Sequence, residues 1–256
     1  VLQKRTITSL WALALLFLSL YLGLYWFAFL VALISLIGSW EFYRLSGVGG
    51  PILGLGLIFS ALFALRPLLP GDLVVGLIAL AVGGSLAGLL AFKKPFPTWA
   101  PLLAGMFYPG WLLGYLVALM QVGWDWAVFA LFTTFACDTS AYFVGRALGY
   151  RPLAPGISPG KTREGAEGGF LGAILAAYLL DRLLGLPLSS IQAAYFGAAV
   201  GVLGQVGDLA ESWLKRGAGA KDAGGILPGH GGVLDRMDSV AFTAPLVYYL
   251  MTWLAF

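Results

Sequence analysis

The sequence predicts an all-α fold: a polytopic integral membrane bundle of about nine transmembrane helices with a cytoplasmic N-terminus. Three observations lead there. Of 256 residues, 60% are hydrophobic and only 11% are charged, against roughly 25% charged in an ordinary soluble domain. Uncharged stretches such as Leu73 to Phe92 run for 20 residues, and a helix of about that length crosses the roughly 30 Å hydrocarbon layer of a bilayer. Basic residues also segregate to one side once those stretches are threaded through a membrane.

Taken in order, hydropathy places spans near residues 7 to 22, 24 to 40, 51 to 65, 72 to 92, 98 to 120, 125 to 146, 165 to 184, 190 to 213 and 239 to 256. The first stretch, uncharged from Thr6 to Trp40, is much longer than a signal-peptide core and shows no cleavage motif, so it reads as mature structure. As one helix it would measure about 52 Å, too long for a single crossing, and a hairpin near Gly23 resolves the excess. With that hairpin, Lys4, Arg5, Arg44, Lys93, Lys94, Arg146, Arg151, Lys161, Arg163, Lys215, Arg216, Lys221 and Arg236 lie inside. Arg66 and Arg182 alone, of 15 basic residues, lie outside, as the positive-inside rule requires. The single cysteine, Cys137, excludes an internal disulfide and a thiolate metal cage.

Charge is uneven along the chain: 18 of the 27 charged residues fall between Asp138 and Asp238. Residues 1–130 therefore read as scaffold spans and residues 131–256 as a catalytic region, within one integrated membrane domain. The glycine pairs Gly165/Gly169 and Gly197/Gly201 put small residues one turn apart, which lets helices approach closely. Packing inside one chain and pairing in a homodimer both use such stripes.

Three polar elements share the cytoplasmic level. Asp138 and Tyr142 lie on one face of the sixth span, about 12 Å of helix rise inside Arg146; an acid at that depth faces a bundle interior or a wet cavity. The segment Arg151 to Gly165 follows. There Ser158 and Thr162 can cap a helix start, and Lys161 and Arg163 add cations beside free N–H groups, a combination that favours phosphate. It is not a P-loop, because Pro155 stands where that motif needs glycine. In the third element Asp208, Glu211, Ser212 and Lys215 fall at helical spacings on one face, and Asp235 and Asp238 repeat the spacing of three. Hard carboxylate oxygens are what magnesium prefers, with its remaining positions left to water and substrate phosphates. Between the two acidic faces, a glycine-rich segment with Lys215, Arg216, Lys221, His230 and Arg236 offers close backbone approach and the cations a triphosphate needs.

From Ser212 to Asp238 the chain resembles the phosphatidate cytidylyltransferase family, also called CDP-diacylglycerol synthases. The shared pattern is Ser-x-apolar-Lys-Arg, four residues, Lys-Asp, then Pro-x-His-Gly-Gly-apolar-x-Asp-Arg-apolar-Asp. The elements Asp138-Thr139 to Tyr142, Ser158-Pro159 to Glu164-Gly165 and Gly207-Asp208 to Glu211-Ser212 extend the resemblance over residues 138 to 238. Gly160 departs from it, since many relatives carry lysine there.

The resemblance implies that the phosphate of phosphatidic acid attacks the α-phosphorus of CTP, giving CDP-diacylglycerol while pyrophosphate leaves with magnesium. It implies Asp208 and Asp238 as metal ligands, with Asp138, Glu211 and Asp235 as further candidates, for Mg2+ and a second cation such as K+. Lys215, Arg216, Lys221, Asp222, His230 and Arg236 form the implied catalytic set, Lys215, Arg216, Lys221 and Arg236 holding CTP and the lipid phosphate. Ser158, Lys161 and Thr162 form another phosphate wall. His230 either binds phosphate or shapes the turn. The expected partners are CTP, phosphatidic acid and the bilayer of a bacterial inner membrane, with no nucleic acid. A CTP-dependent enzyme acting on another lipid, and a transporter, are the competing readings; the concentration of charge at one face and the lack of repeated halves disfavour the transporter.

Overall fold

A computed structural model describes residues 2–227, 229 and 231–254, the first four of these by backbone alone. His230 lies outside the described residues. The helices run α1 (Leu2–Leu22), α2 (Leu24–Leu45), α3 (Pro51–Leu65), α4 (Gly71–Ala91), α5 (Trp99–Met106), α6 (Leu113–Val122), α7 (Trp124–Leu148), α8 (Arg163–Leu184), α9 (Ser190–Gly217) and α10 (Leu234–Leu254). A π-helical turn, Phe107–Leu112, joins α5 to α6. Among the described residues the protein is thus all-α apart from one small hairpin, β1 (Pro152–Ala154) and β2 (Ser158–Thr162), paired antiparallel with Pro152 opposite Thr162.

Among the described residues, six helical segments are long and apolar enough to cross a membrane: Leu24–Leu45, Pro51–Leu68, Gly71–Ala91, Phe96–Val122, Trp124–Leu148 and Ser190–Gly217. The other three expected spans also fall on helices. Thr6–Leu22 is apolar but shorter, α8 carries Asp181 and Arg182 within its last turn and a half, and Tyr, Thr and Ser dilute α10. Helix α1 ends and α2 begins at Gly23, whose φ of 96° suits glycine alone.

The chain divides into two compact units, Val1–Ala118 with Asp222–Arg236, and Leu119–Lys221 with Met237–Phe256. In the first, α2 is the organising helix. Its Tyr43 is fully buried, and its hydroxyl donates to the Leu102 carbonyl at 2.8 Å. The ring occupies the space that a side chain on Gly56 of α3 or Gly105 of α5 would need. One turn earlier, Ser39 donates to the Gly105 carbonyl at 2.8 Å, and Ser35 donates to the Pro109 carbonyl at 3.0 Å. Hydroxyls thus hold α2 to its neighbours where hydrocarbon offers no other partner for a polar group.

In the second unit α8 packs against both α7 and α9. Its buried face runs Gly165, Gly169, Ala173, Ala177 and Asp181, and the four small residues at every fourth position bring the neighbouring backbones in close. A methyl group on Gly169 would sit 3.0 Å from the Cys137 carbonyl, and one on Gly197 of α9 would lie 2.5 Å from Ile174 Cα. Both glycine pairs noted in the sequence are therefore used in packing within one chain, and they supply no argument for a second copy.

Because the obstacle at Gly197 is backbone and cannot rotate away, Gly197→Ala should destabilise the protein by about 1–3 kcal/mol. Thermal unfolding in detergent checks this; an unchanged midpoint would contradict the close α8–α9 crossing.

Candidate active site

The second unit gathers most of the sequence-derived candidates. The stretch before α8, expected as a loop, closes into the β1–β2 hairpin because Pro155-Gly156 turns the chain and the Ile157 N–H donates to the Ala154 carbonyl at 3.1 Å. Pro159 cannot donate to a ladder and is tolerated in so short a two-stranded edge. The hairpin places Ser158 and Lys161 on β2 and ends at Thr162, the N-cap of α8. Thr162 has extended dihedrals and its Oγ1 accepts from the Gly165 N–H at 3.1 Å, satisfying one of the unpaired donors of a helix start.

Two further contacts fix the hairpin. The Glu164 carboxylate accepts from the Arg151 Nε at 2.6 Å and from the backbone N–H groups of Tyr150 and Arg151 at 3.1 and 3.2 Å. The Arg151 guanidinium, foremost, holds the Glu164 carboxyl down at about 2. A depressed carboxyl pKa stabilises above the ordinary value near 4.5, and that contribution is lost as pH falls towards 2. From the other side, Arg216 at the end of α9 donates through Nε to the Ile157 carbonyl at 3.2 Å and through Nη1 to the Ala220 carbonyl at 3.1 Å.

Four of the candidate acids lie in this unit. Asp208 and Glu211 stand one turn apart on α9, Asp138 lies on α7, and Asp238 lies in the first turns of α10. Asp208 and Glu211 both act electrostatically on Asp238, and Asp138 adds a smaller repulsion. Glu211 is 1% exposed and Asp238 7%. The Lys161 Nζ meets Asp208 Oδ2 at 2.5 Å, and Lys215 pairs with Glu211 across one helical turn. Ser239 contributes its N–H to Asp238 Oδ1 at 2.8 Å and its hydroxyl to Asp138 Oδ1 at 3.4 Å. Four carboxylates beside two ammonium groups carry a formal excess of two negative charges, the charge of one divalent cation. Among the described residues no three acidic, histidine or cysteine side chains converge on a point where they alone could hold an ion.

A cavity of about 300 Å³ adjoins these groups, walled by Asp138, Tyr142, Arg146, Lys161, Thr162, Gln205 and Asp208. Arg146 donates to the Tyr142 hydroxyl at 2.9 Å, and Gln205 donates to the carbonyls of Ala166 and Gly201 at 3.0 and 2.7 Å. Neither Arg146 nor Gln205 stood out among the sequence candidates. Their side chains lie at ordinary helical positions, and only the packing of α7, α8 and α9 brings them to one wall.

The remaining candidates lie in the segment Asp222–Arg236 of the first unit, with Lys221 just before it. Both Asp235 oxygens accept from the Ala223 N–H, at 3.2 and 3.0 Å, and Oδ2 also accepts from the Gly232 N–H at 2.7 Å. Asp235 thus closes the segment on itself. Arg236 is exposed, as are Lys221 and Asp222. Sequence reasoning missed Glu41 of α2, which is fully buried and accepts from the Leu234 N–H at 2.8 Å. A lone acid near a span end gave no signal of that contact.

Fold and site together define a multi-pass helical membrane protein with a cluster of acids and lysines beside a hairpin-walled cavity. The chain belongs to the cytidylyltransferase family, whose pattern matches residues 3–254. It is 33% identical to the phosphatidate cytidylyltransferase of Synechocystis sp. over 285 aligned positions, which cover 98% of this chain and 97% of that one. With the phosphatidate cytidylyltransferase of Staphylococcus epidermidis it shares 36% identity over 262 positions, 97% of this chain and 98% of the relative. Against the uncharacterized protein YnbB of Escherichia coli, identity is 36% over 185 positions, or 70% of this chain, and the match spans 62% of that protein's length.

Removing the Glu164 carboxylate tests the hairpin's anchorage. Glu164→Gln should speed trypsin cleavage after Lys161 at pH 7 by about two- to fivefold, the range expected when an exposed ion pair is lost. An unchanged cleavage rate would mean that Arg216 and Thr162 hold the hairpin without it.

Proposed function

We propose that this protein transfers CMP from CTP to phosphatidic acid, giving CDP-diacylglycerol and pyrophosphate for phospholipid synthesis. The observation that carries this reading is the match to phosphatidate cytidylyltransferases over nearly the whole length of both chains. A phosphate oxygen of phosphatidic acid forms a bond to the α-phosphorus of CTP. The bond from that phosphorus to the α,β-bridging oxygen breaks, and its electron pair leaves with pyrophosphate. A phosphate monoester, with its second pKa near 6, is already mostly dianionic at neutral pH, so no strong general base is required.

The protein's part is alignment and charge neutralisation. Lys161 and Lys215, paired with Asp208 and Glu211, are the ammonium groups placed to turn towards phosphate oxygens, and Lys221 and Arg236 supply further positive charge. Ser158 and Thr162, beside Lys161, form a further phosphate wall, Thr162 also capping α8, and Arg216 holds the hairpin turn through its contact with Ile157. A magnesium ion at Asp208 and Asp238, with Asp138 and Glu211 beside them and a second cation such as K+, would neutralise charge on the phosphate oxygens. Asp235 belongs in this reading to the folding of its own segment, because both of its oxygens are engaged by backbone N–H groups. Asp222 and His230 complete the nucleotide-binding segment.

The reading also includes nine crossings, a cytoplasmic N-terminus and a site facing the cytoplasm of a bacterium, where CTP is found. Support comes from the distribution of basic residues, 13 of 15 on one side of a nine-span threading, and from the helical state of each expected span.

The test is detergent-purified protein with CTP, magnesium and phosphatidic acid, following pyrophosphate and CDP-lipid. Both products should form in equal amounts, and Asp208→Asn or Asp238→Asn should each lower the rate by about a hundredfold or more. If CTP is consumed only with another lipid, the head-group assignment falls; if CTP is untouched under every condition, the transfer reaction itself falls.

A further inference from the structure

Glu41 has no part in the chemistry above, yet it is the most deeply enclosed acid of the first unit, with 0% exposure. It lies on α2 two residues before Tyr43, close to the end of the helix. Burying a carboxylate in such a place costs several kcal/mol unless hydrogen bonds and charge replace the lost water. The hydrogen bonds come from the segment Asp222–Arg236, and Arg44, one turn further along α2, adds positive charge. The Leu234 N–H donates to Glu41 Oε2 at 2.8 Å, and the Val233 amide adds to it. The segment also makes room for the acid. A side chain on Gly224 would collide with Glu41 Oε1, and one on Gly232 would lie 2.6 Å from Oε2. Two glycines eight positions apart therefore let the backbone close around one carboxylate.

Asp235 works from inside the same segment, tying the Ala223 and Gly232 N–H groups together. Gly231, with a φ of 82°, turns the chain between them. The bounds of this small structure are Lys221 on one side and Arg236 on the other, and Asp238 follows two residues later. Among the described residues, hydrogen bonds accepted by two carboxylates, Glu41 outside the segment and Asp235 within it, join the Leu227–Gly231 backbone bond in setting the backbone that leads to Arg236.

We propose that Glu41 is a positioning residue that holds the Asp222–Arg236 segment in the shape that binds CTP. This rests on the cytidylyltransferase reading for its ligand, though not for the anchorage itself. The acid touches no reacting group. It acts through the Leu234 and Val233 amides and through the space left at Gly224 and Gly232, so its loss should appear as weaker nucleotide binding rather than as a general failure of the bundle.

The experiment uses the full-length protein in detergent with three variants, Glu41→Ala, Glu41→Gln and Gly224→Ala, and two readouts. The first is amide hydrogen exchange across residues 222–236. Glu41→Ala and Gly224→Ala should each speed exchange there by about tenfold or more, as expected for the loss of a buried hydrogen bond to a charged group. Glu41→Gln keeps an acceptor for the Leu234 N–H and should stay within about threefold of the parent. The second readout is steady-state kinetics: Glu41→Ala and Gly224→Ala should raise the KM for CTP by about tenfold while the KM for phosphatidic acid changes by less than about twofold.

Unchanged exchange in 222–236 would overturn the proposal. So would faster exchange spread evenly over α2, α3 and α5, or a loss of kcat with both KM values intact, since either marks Glu41 as a general packing residue. If the parent protein does not turn over CTP at all, the enzymatic reading fails separately, and the exchange arm alone decides whether Glu41 holds the segment.

Discussion

A carboxylate surrounded by hydrocarbon loses its hydration, and the arrangement of this protein follows from where its acids go and what replaces the water they give up. Asp208 is met by Lys161 from β2 and Glu211 by Lys215 from its own helix. Asp238 and Asp138 share the N–H and hydroxyl of Ser239. Asp235 and, through Oε2, Glu41 accept from backbone amides of the glycine-rich segment. Asp138, Asp208, Glu211 and Asp238 carry more negative charge than Lys161 and Lys215 remove, whereas Asp235 and Glu41 hold backbone in place. The same residue type thus serves two ends, and what separates them is the partner each acid has been given.

Glycine makes both arrangements possible. Along α8, small residues at every fourth position let α7 and α9 come close enough for Asp138, Lys161 and Asp208 to share one cavity wall. In the first unit, Gly56 and Gly105 leave room for the Tyr43 ring as Gly224 and Gly232 do for Glu41. Without a hydrophobic driving force between helices in lipid, such close fits and a few hydrogen bonds carry the association. The hairpin β1–β2 adds a rigid element where an unstructured loop would leave Lys161 free to wander, and it is fastened at both ends, by Glu164 to Arg151 and by Arg216 to Ile157.

By itself the sequence determined the membrane character, the helical class and the acid- and base-rich stretch from Asp138 to Asp238, because hydropathy and helical spacing are local properties that survive without tertiary contacts. It also showed the pattern from Ser212 to Asp238 that ties the chain to its family. Tertiary structure alone decided which acid faces which partner. Asp235 and Asp238 have the same spacing as Asp208 and Glu211, yet Asp235 turns to the amides of Ala223 and Gly232 while Asp238 lies among the other carboxylates. Helical spacing says which residues share a face of one helix, and nothing in it says what that face meets. Glu41 shows this most plainly: it stands 193 residues from Leu234 in the chain, and only the folding of α2 against the glycine-rich segment makes it part of the same structure.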